Sequence, residues 1–133
     1  QLRSVDGIGP ASGAFASTDL RYEILRDMWD RGVKFVTGMD SGMTNANFDD
    51  FAYIPEVMVE DMGITPMEAI ISATQVSADC LGLLDEIGTL EEGKAADVLI
   101  INGNPAVDIK ALHDVNTIVK QGQIVKQENE LLI

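Results

Sequence analysis

Asp40 is the residue of this sequence whose setting points to chemistry. It closes the stretch "GVKFVTGMD", in which an apolar run of Val33, Phe35 and Val36 breaks at Gly38 and delivers one carboxylate among small residues. Two readings fit that pattern. An Asp that follows Gly commonly serves a turn or caps a helix. A carboxylate at the C-terminal end of a parallel barrel strand instead points into an active site.

The other residues that could do chemistry are few. His113 is the single histidine and Cys80 the single cysteine, so a metal site built within this chain has no second imidazole or thiolate to use. In "ALHDV" the histidine reads as a surface residue near a helix end. A Ser-His-Asp arrangement would need this same histidine, and no nucleophile-elbow sequence accompanies it. Cys80 sits beside Ala78 and Leu81 in a helical pattern and is expected to be a buried, inert thiol. "GTLEEGK", residues 88–94, has phosphate-loop spacing up to its lysine, but Ala95 stands where a magnesium-binding hydroxyl belongs. Glu91 and Glu92 would repel phosphates, and a strand follows where a helix N-terminus should supply amides. "GIGPASG" at the start lacks a preceding strand and reads as a loop.

The elements that must position Asp40 follow from periodicity. "STDLRYEILRDMWDRG" reads as a helix with Leu20, Ile24 and Met28 and their neighbours Leu25 and Trp29 as one apolar stripe, capped by Ser17 or Thr18 and ended by Gly32. A strand from Val33 to Val36 follows at once, which is αβ connectivity. A second helical region has Pro55 in its first turn, Met58 and Met62 on its inner face and Gly63 as its stop. Thr65, Pro66 and Glu68 then combine a cap, a first-turn proline and a reciprocal carboxylate. From there Ile70, Ala73, Ser77 and Leu81 are expected along one face as far as Gly82. Beyond Gly82 the character turns to β: Val98 to Ile101 reads as a buried strand, and Gln121-Gly122 between two β-prone arms as a hairpin.

Composition bounds the partners. With 133 residues and 46% hydrophobic content the chain can pack a core. Acids exceed bases by 22 to 9, a formal charge of −13, which argues against nucleic acid and anionic membrane surfaces. No apolar run approaches the ~20 residues of a membrane span, and no secretory signal is visible, so a cytoplasmic protein is expected. The first residue is Gln1 rather than Met, and the natural beginning is expected to lie upstream.

Three stretches occur in order: "GMDS" at 38–41, "TPMEA" at 65–69 with Ala73-Thr74, and "IGTLEEGKAAD" at 87–97. Together they closely resemble the C-terminal part of the metal-dependent amidohydrolase superfamily, in its imidazolonepropionase-like and prolidase-like members. The resemblance runs from about Thr18 to Lys126. It implies an α/β fold: residues 1–82 as the closing portion of a (β/α)8 TIM-like barrel, and 83–133 as part of a small composite β-sandwich. On that mapping Val33 to Val36 is the eighth barrel strand, and Asp40 is the aspartate at its tip that ligates the catalytic metal and handles the proton. Ser41, Thr44 and Asn45 follow on the loop at the barrel mouth, within reach of substrate. Gly93, Lys94 and Asp97 take structural work, a turn and the fixing of the chain as it enters a strand.

The implied activity is hydrolysis of a C–N bond in a cyclic amide, an N-acyl amino acid or a dipeptide, by water activated on a divalent metal, zinc, with one or two ions in the parent protein. Deamination belongs to the same chemistry. The family's His-x-His pair, bridging lysine and later histidines have no counterparts in this sequence and are expected N-terminal to Gln1. A complete barrel needs about 250 residues, so the chain is read as a fragment, inactive and metal-free alone, whose partners are that N-terminal portion, a small-molecule substrate and further copies in a homo-oligomer. A non-catalytic amidohydrolase-like scaffold is the rival reading, and the presence or absence of an upstream His-x-His decides between them.

Overall fold

The computed structural model describes residues 18–42, 47–128 and 130–132. The cap expected at Ser17 and the loop residues Thr44 and Asn45 lie outside the described residues.

Helix α1 spans Thr18–Asp30 and ends as its glycine requires. Gly32, at φ +83°, sends its N–H to the Trp29 carbonyl at 2.8 Å while the Val33 N–H reaches Met28 at 3.1 Å. This left-handed glycine stop satisfies the last carbonyls of the helix. The face that packs inward is Tyr22, Leu25 and Trp29. Leu20, Ile24 and Met28, expected on the buried stripe, stand exposed. The apolar arc of α1 is wider than the surface that covers it, and the covering elements choose one side.

Residues 33–39 form no helix and no sheet ladder, and from Phe35 to Met39 their burial alternates as in an extended chain. The strand expected at Val33 to Val36 is therefore corrected to an unpaired segment. A strand needs a hydrogen-bonded neighbour, and the strands among the described residues all lie beyond residue 97 and pair with one another.

A 3₁₀ turn, Asp50–Ala52, leads into α2, Tyr53–Glu60. Met58, Met62, Ile64 and Ala69 make the core, with Tyr22, Leu25, Trp29, Phe35 and Val59 packed against it. Arg26 ties α1 to the end of α2: its Nη1 donates to the Gly63 carbonyl at 2.6 Å, while Asp30 grips the same guanidinium at 2.9 Å. The planar fork suits both tasks at once. Thr65 caps α3, Pro66–Ile71, with the reciprocal Glu68 contact in place.

A single π-helical turn, Ser72–Val76, then interrupts the helix before α4, Ser77–Cys80, and Gly82 at φ +71° ends it. The wider turn rotates the following residues, so the buried face runs through Ala69, Ser72 and Ala78. Leu81 is 70% exposed and does not share that face. Cys80 is exposed as well, contrary to its expected burial.

The C-terminal part is an antiparallel sheet in the order β1-β2-β3-β4, with β1 at Val98–Ile101, β2 at Val115–Lys120, β3 at Gln123–Gln127 and β4 at Glu130–Leu131. Gln121 and Gly122, at φ +49° and +79°, make the two-residue turn between β2 and β3, whose twist matches the strands it joins. β1 is a strand as expected, but Leu99 and Ile100 are more than half exposed. The sheet meets the helices at a second 3₁₀ turn, Ile109–His113, where His113 Nε2 lies 2.6 Å from Glu56 Oε2 and Lys110 pairs with Glu60. No helix among the described residues is long and apolar enough to cross a membrane.

Candidate functional site

Asp40 stands where this segment turns. Along residues 33–40 the half-buried positions are Phe35, Thr37 and Met39, while Lys34, Val36, Gly38 and Asp40 are exposed. That alternation is the period of an extended chain. Phe35 anchors the inner side, its ring centroid 5.8 Å from that of Trp29. Asp40 itself adopts φ +50° and begins the turn that continues through Ser41 and Gly42, the latter at φ +101°. Asp tolerates the left-handed region better than most residues, because its short polar side chain can bond locally. Ser41, half-buried, is the one candidate substrate-side residue that the described chain sets beside Asp40.

The segment is held from the π turn and the first residue of α4. Ser72 Oγ donates to the Phe35 carbonyl at 2.6 Å, and the Thr37 N–H donates to Ser77 Oγ at 3.2 Å. Ser77 Oγ in turn donates to the Ser72 carbonyl at 2.7 Å. The Thr37 hydroxyl oxygen is buried and finds no partner among the described residues. Reading the sequence missed this arrangement, because Ser77 looked like a packing position. The available signal was the pair of serines in "SATQVS", since mid-helix hydroxyls tend to bond backbone carbonyls.

Among the described residues no three His, Cys, Asp or Glu side chains gather where they could hold a metal ion. Asp40 offers one hard oxygen ligand, which suits one coordination position and does not make a site. His113 is engaged elsewhere, against Glu56 and edge-on to the Tyr53 ring at 4.5 Å. The phosphate-loop lookalike also has another occupation. Lys94 Nζ donates to Thr89 Oγ1 at 2.5 Å and lies 3.6 Å from Glu91. The adjoining cleft of about 370 Å³ carries Asp85, Glu91 and Glu92 against that one lysine, which disfavours an anion. Asp40 does not line it.

Asp97 does what a strand-entry residue should. Its carboxylate binds Lys120 Nζ and accepts the Gln121 N–H at 2.7 Å, joining the start of β1 to the β2–β3 turn. The Lys120 ammonium and that backbone N–H hold the carboxyl below its ordinary range.

Comparison with known proteins places the chain in a family. The model of the amidohydrolase family matches residues 4–125. An imidazolonepropionase of Brevibacillus brevis is 32% identical over 109 residues, which are 80% of this chain and 26% of the relative. A 5-methylthioadenosine/S-adenosylhomocysteine deaminase of Moorella thermoacetica is 30% identical over 126 residues, 80% of this chain and 29% of that enzyme. Among solved structures, a Xaa-Pro dipeptidase with bound methionine in its active site superposes with a TM-score of 0.70 at 34% identity, covering 77% of this chain and 25% of its own. The chain thus spans about a quarter of the length of the proteins it matches. On the extent of the family match and the identity to these relatives, this chain belongs to the amidohydrolase family.

Proposed function

We propose that this chain supplies the closing portion of a (β/α)8 barrel, residues 1–82, and part of a small β-sandwich, residues 83–133, to a metal-dependent hydrolase that cleaves a C–N bond. The observation that carries the reading is the position of Asp40, exposed at the end of the segment that follows α1, where the chain enters a turn. In a barrel, the C-terminal end of a strand lies at the mouth where catalytic residues gather. Asp40 is then one ligand of a divalent metal, zinc, and the carboxylate that takes a proton from the attacking water and returns it to the departing amine. The remaining ligands come from chain beyond these residues. Ser41, Thr44 and Asn45 are the residues proposed to contact substrate.

The substrate class is a cyclic amide, an N-acyl amino acid or a dipeptide; the likeness to an imidazolonepropionase and a Xaa-Pro dipeptidase supports the first and the last. Deamination is the second reading, supported by the match to a deaminase.

The test uses the full-length protein loaded with zinc. Cyclic amides, N-acyl amino acids, Xaa-Pro dipeptides and aminopurine nucleosides are offered, with ammonia release marking deamination. Asp40→Asn is nearly isosteric and is expected to lower turnover by at least about 10²–10⁴-fold with the melting temperature of the metal-free protein unchanged. If turnover survives and stability falls, Asp40 is a turn residue and the reading is wrong. Absence of a His-x-His in the upstream reading frame makes the protein a scaffold instead.

A further inference from the structure

From the two hydroxyls that hold the Asp40 segment, we infer that Ser72 and Ser77 are positioning residues for the Asp40 carboxylate. The inference rests on the reading of Asp40 as a metal ligand. Both serines act on backbone atoms three to five residues before it: Ser72 on the Phe35 carbonyl, Ser77 on the Thr37 N–H. In an extended chain the C=O of one residue and the N–H two residues on leave by the same edge. The pair therefore grips one edge at two successive points and selects a register. A slip of one residue would offer the serines the opposite edge and turn Asp40 to the other face.

The π turn explains why these two serines can cooperate. Residues five apart stand on different faces of an α-helix. A turn that closes between residues five apart brings the Ser77 hydroxyl over the Ser72 carbonyl, and their 2.7 Å bond orients Ser77 toward Thr37. Ser72 has no solvent exposure, so its hydroxyl has no water to exchange for the Phe35 carbonyl. Such π turns in otherwise regular helices often accompany functional sites. Before the clasp, Phe35 packs on Trp29; beyond it, Met39 is half-buried and Asp40 enters the left-handed turn. Among the described residues, the hydroxyl pair holds the backbone three to five residues before the carboxylate.

The experiment titrates the metal-free full-length protein with zinc alone and reads affinity beside the metal-free melting temperature. Supports of a metal ligand typically cost about 10–100-fold in affinity when removed. Ser77→Ala is expected to weaken zinc binding by that factor with the melting temperature close to that of the unaltered protein, and Ser77→Thr, which restores the hydroxyl, to recover it. Asp40→Asn runs in the same titration. If the unaltered protein does not bind zinc, or Asp40→Asn binds it equally well, the reading of Asp40 as a ligand fails. If Asp40→Asn loses affinity while Ser77→Ala keeps it, or Ser77→Thr does not recover it, the positioning role is overturned and Asp40 stands. Should Ser77→Ala not fold, Ser72→Cys replaces it, keeping the volume and weakening the donor. A weakened zinc affinity there supports the role and an unchanged one overturns it.

Discussion

Gly88 lies against Ala78 so closely that a Cβ on Gly88 would stand 2.5 Å from the Ala78 Cβ and 3.1 Å from the Thr74 carbonyl oxygen. The glycine also holds φ +91°. It is the point at which the loop toward the sheet passes over the π turn and α4, and no side chain fits there.

Gly88→Ala is therefore expected to destabilise the protein by about 2–4 kcal/mol, from a left-handed backbone that disfavours a Cβ and from overpacking against Ala78. Urea unfolding of the full-length variant measures it. A loss below about 0.5 kcal/mol, the scale of ordinary surface changes, would mean that the loop does not seat on the helix.

The cap of α3 gives a second expectation. Thr65 Oγ1 accepts the Glu68 N–H at 3.4 Å, and Glu68 Oε2 accepts the Thr65 N–H at 3.1 Å. Thr65→Ala should cost about 0.5–2 kcal/mol. The Thr65 hydroxyl, then its backbone N–H, lowers the Glu68 carboxyl below its ordinary value of 4.5. That stabilisation is present above the ordinary value and is lost as pH falls through the folded one. The gap between Thr65→Ala and the unaltered protein should therefore narrow in acid, read as melting temperature against pH. A gap that widens in acid contradicts the reciprocal contact.

Asp97 should show the same sign at the other end of the chain. Its carboxyl is held below the ordinary 3.8 by Lys120 and by the Gln121 N–H. Protonation at lower pH removes both contacts, so protection of the β2–β3 turn against hydrogen exchange should fall with pH below about 4. Asp97→Asn should lack that pH dependence. If the variant and the unaltered protein respond alike, Asp97 does not fix the turn.

The 133-residue chain prepared by itself is expected to keep no zinc after dialysis. It brings one histidine, bonded to Glu56, one exposed cysteine, and Asp40 without co-ligands among the described residues. Catalytic zinc typically has three protein ligands. One tightly bound zinc per chain, measured by metal analysis, would contradict this.

The parts of this protein that were legible in its sequence depend on a few adjacent residues. The glycine stops at Gly32 and Gly82, the capping box at Thr65 and the turn at Gln121-Gly122 all formed as their local chemistry requires. The helix stops and the capping box satisfy backbone groups within about five residues, while the turn also sends its Gln121 and Gly122 N–H groups to Asp97 and Ala96 just before β1. Asp40 drew notice on the same local scale, as an acid after an apolar run and a glycine, and its role is the one proposed above.

What the tertiary structure decided is which surfaces meet. Tyr22, Leu25 and Trp29, rather than Leu20, Ile24 and Met28, face the core, because α2 and α3 cover one side of an apolar arc that periodicity leaves undivided. Val33 to Val36 formed no ladder, because strand propensity supplies a conformation and only a neighbour supplies hydrogen bonds. The π turn exposed Cys80 and Leu81 and brought Ser72 and Ser77 onto the Asp40 segment. Contacts spanning some forty residues of chain leave no periodic trace in a sequence; they exist only once two elements have packed.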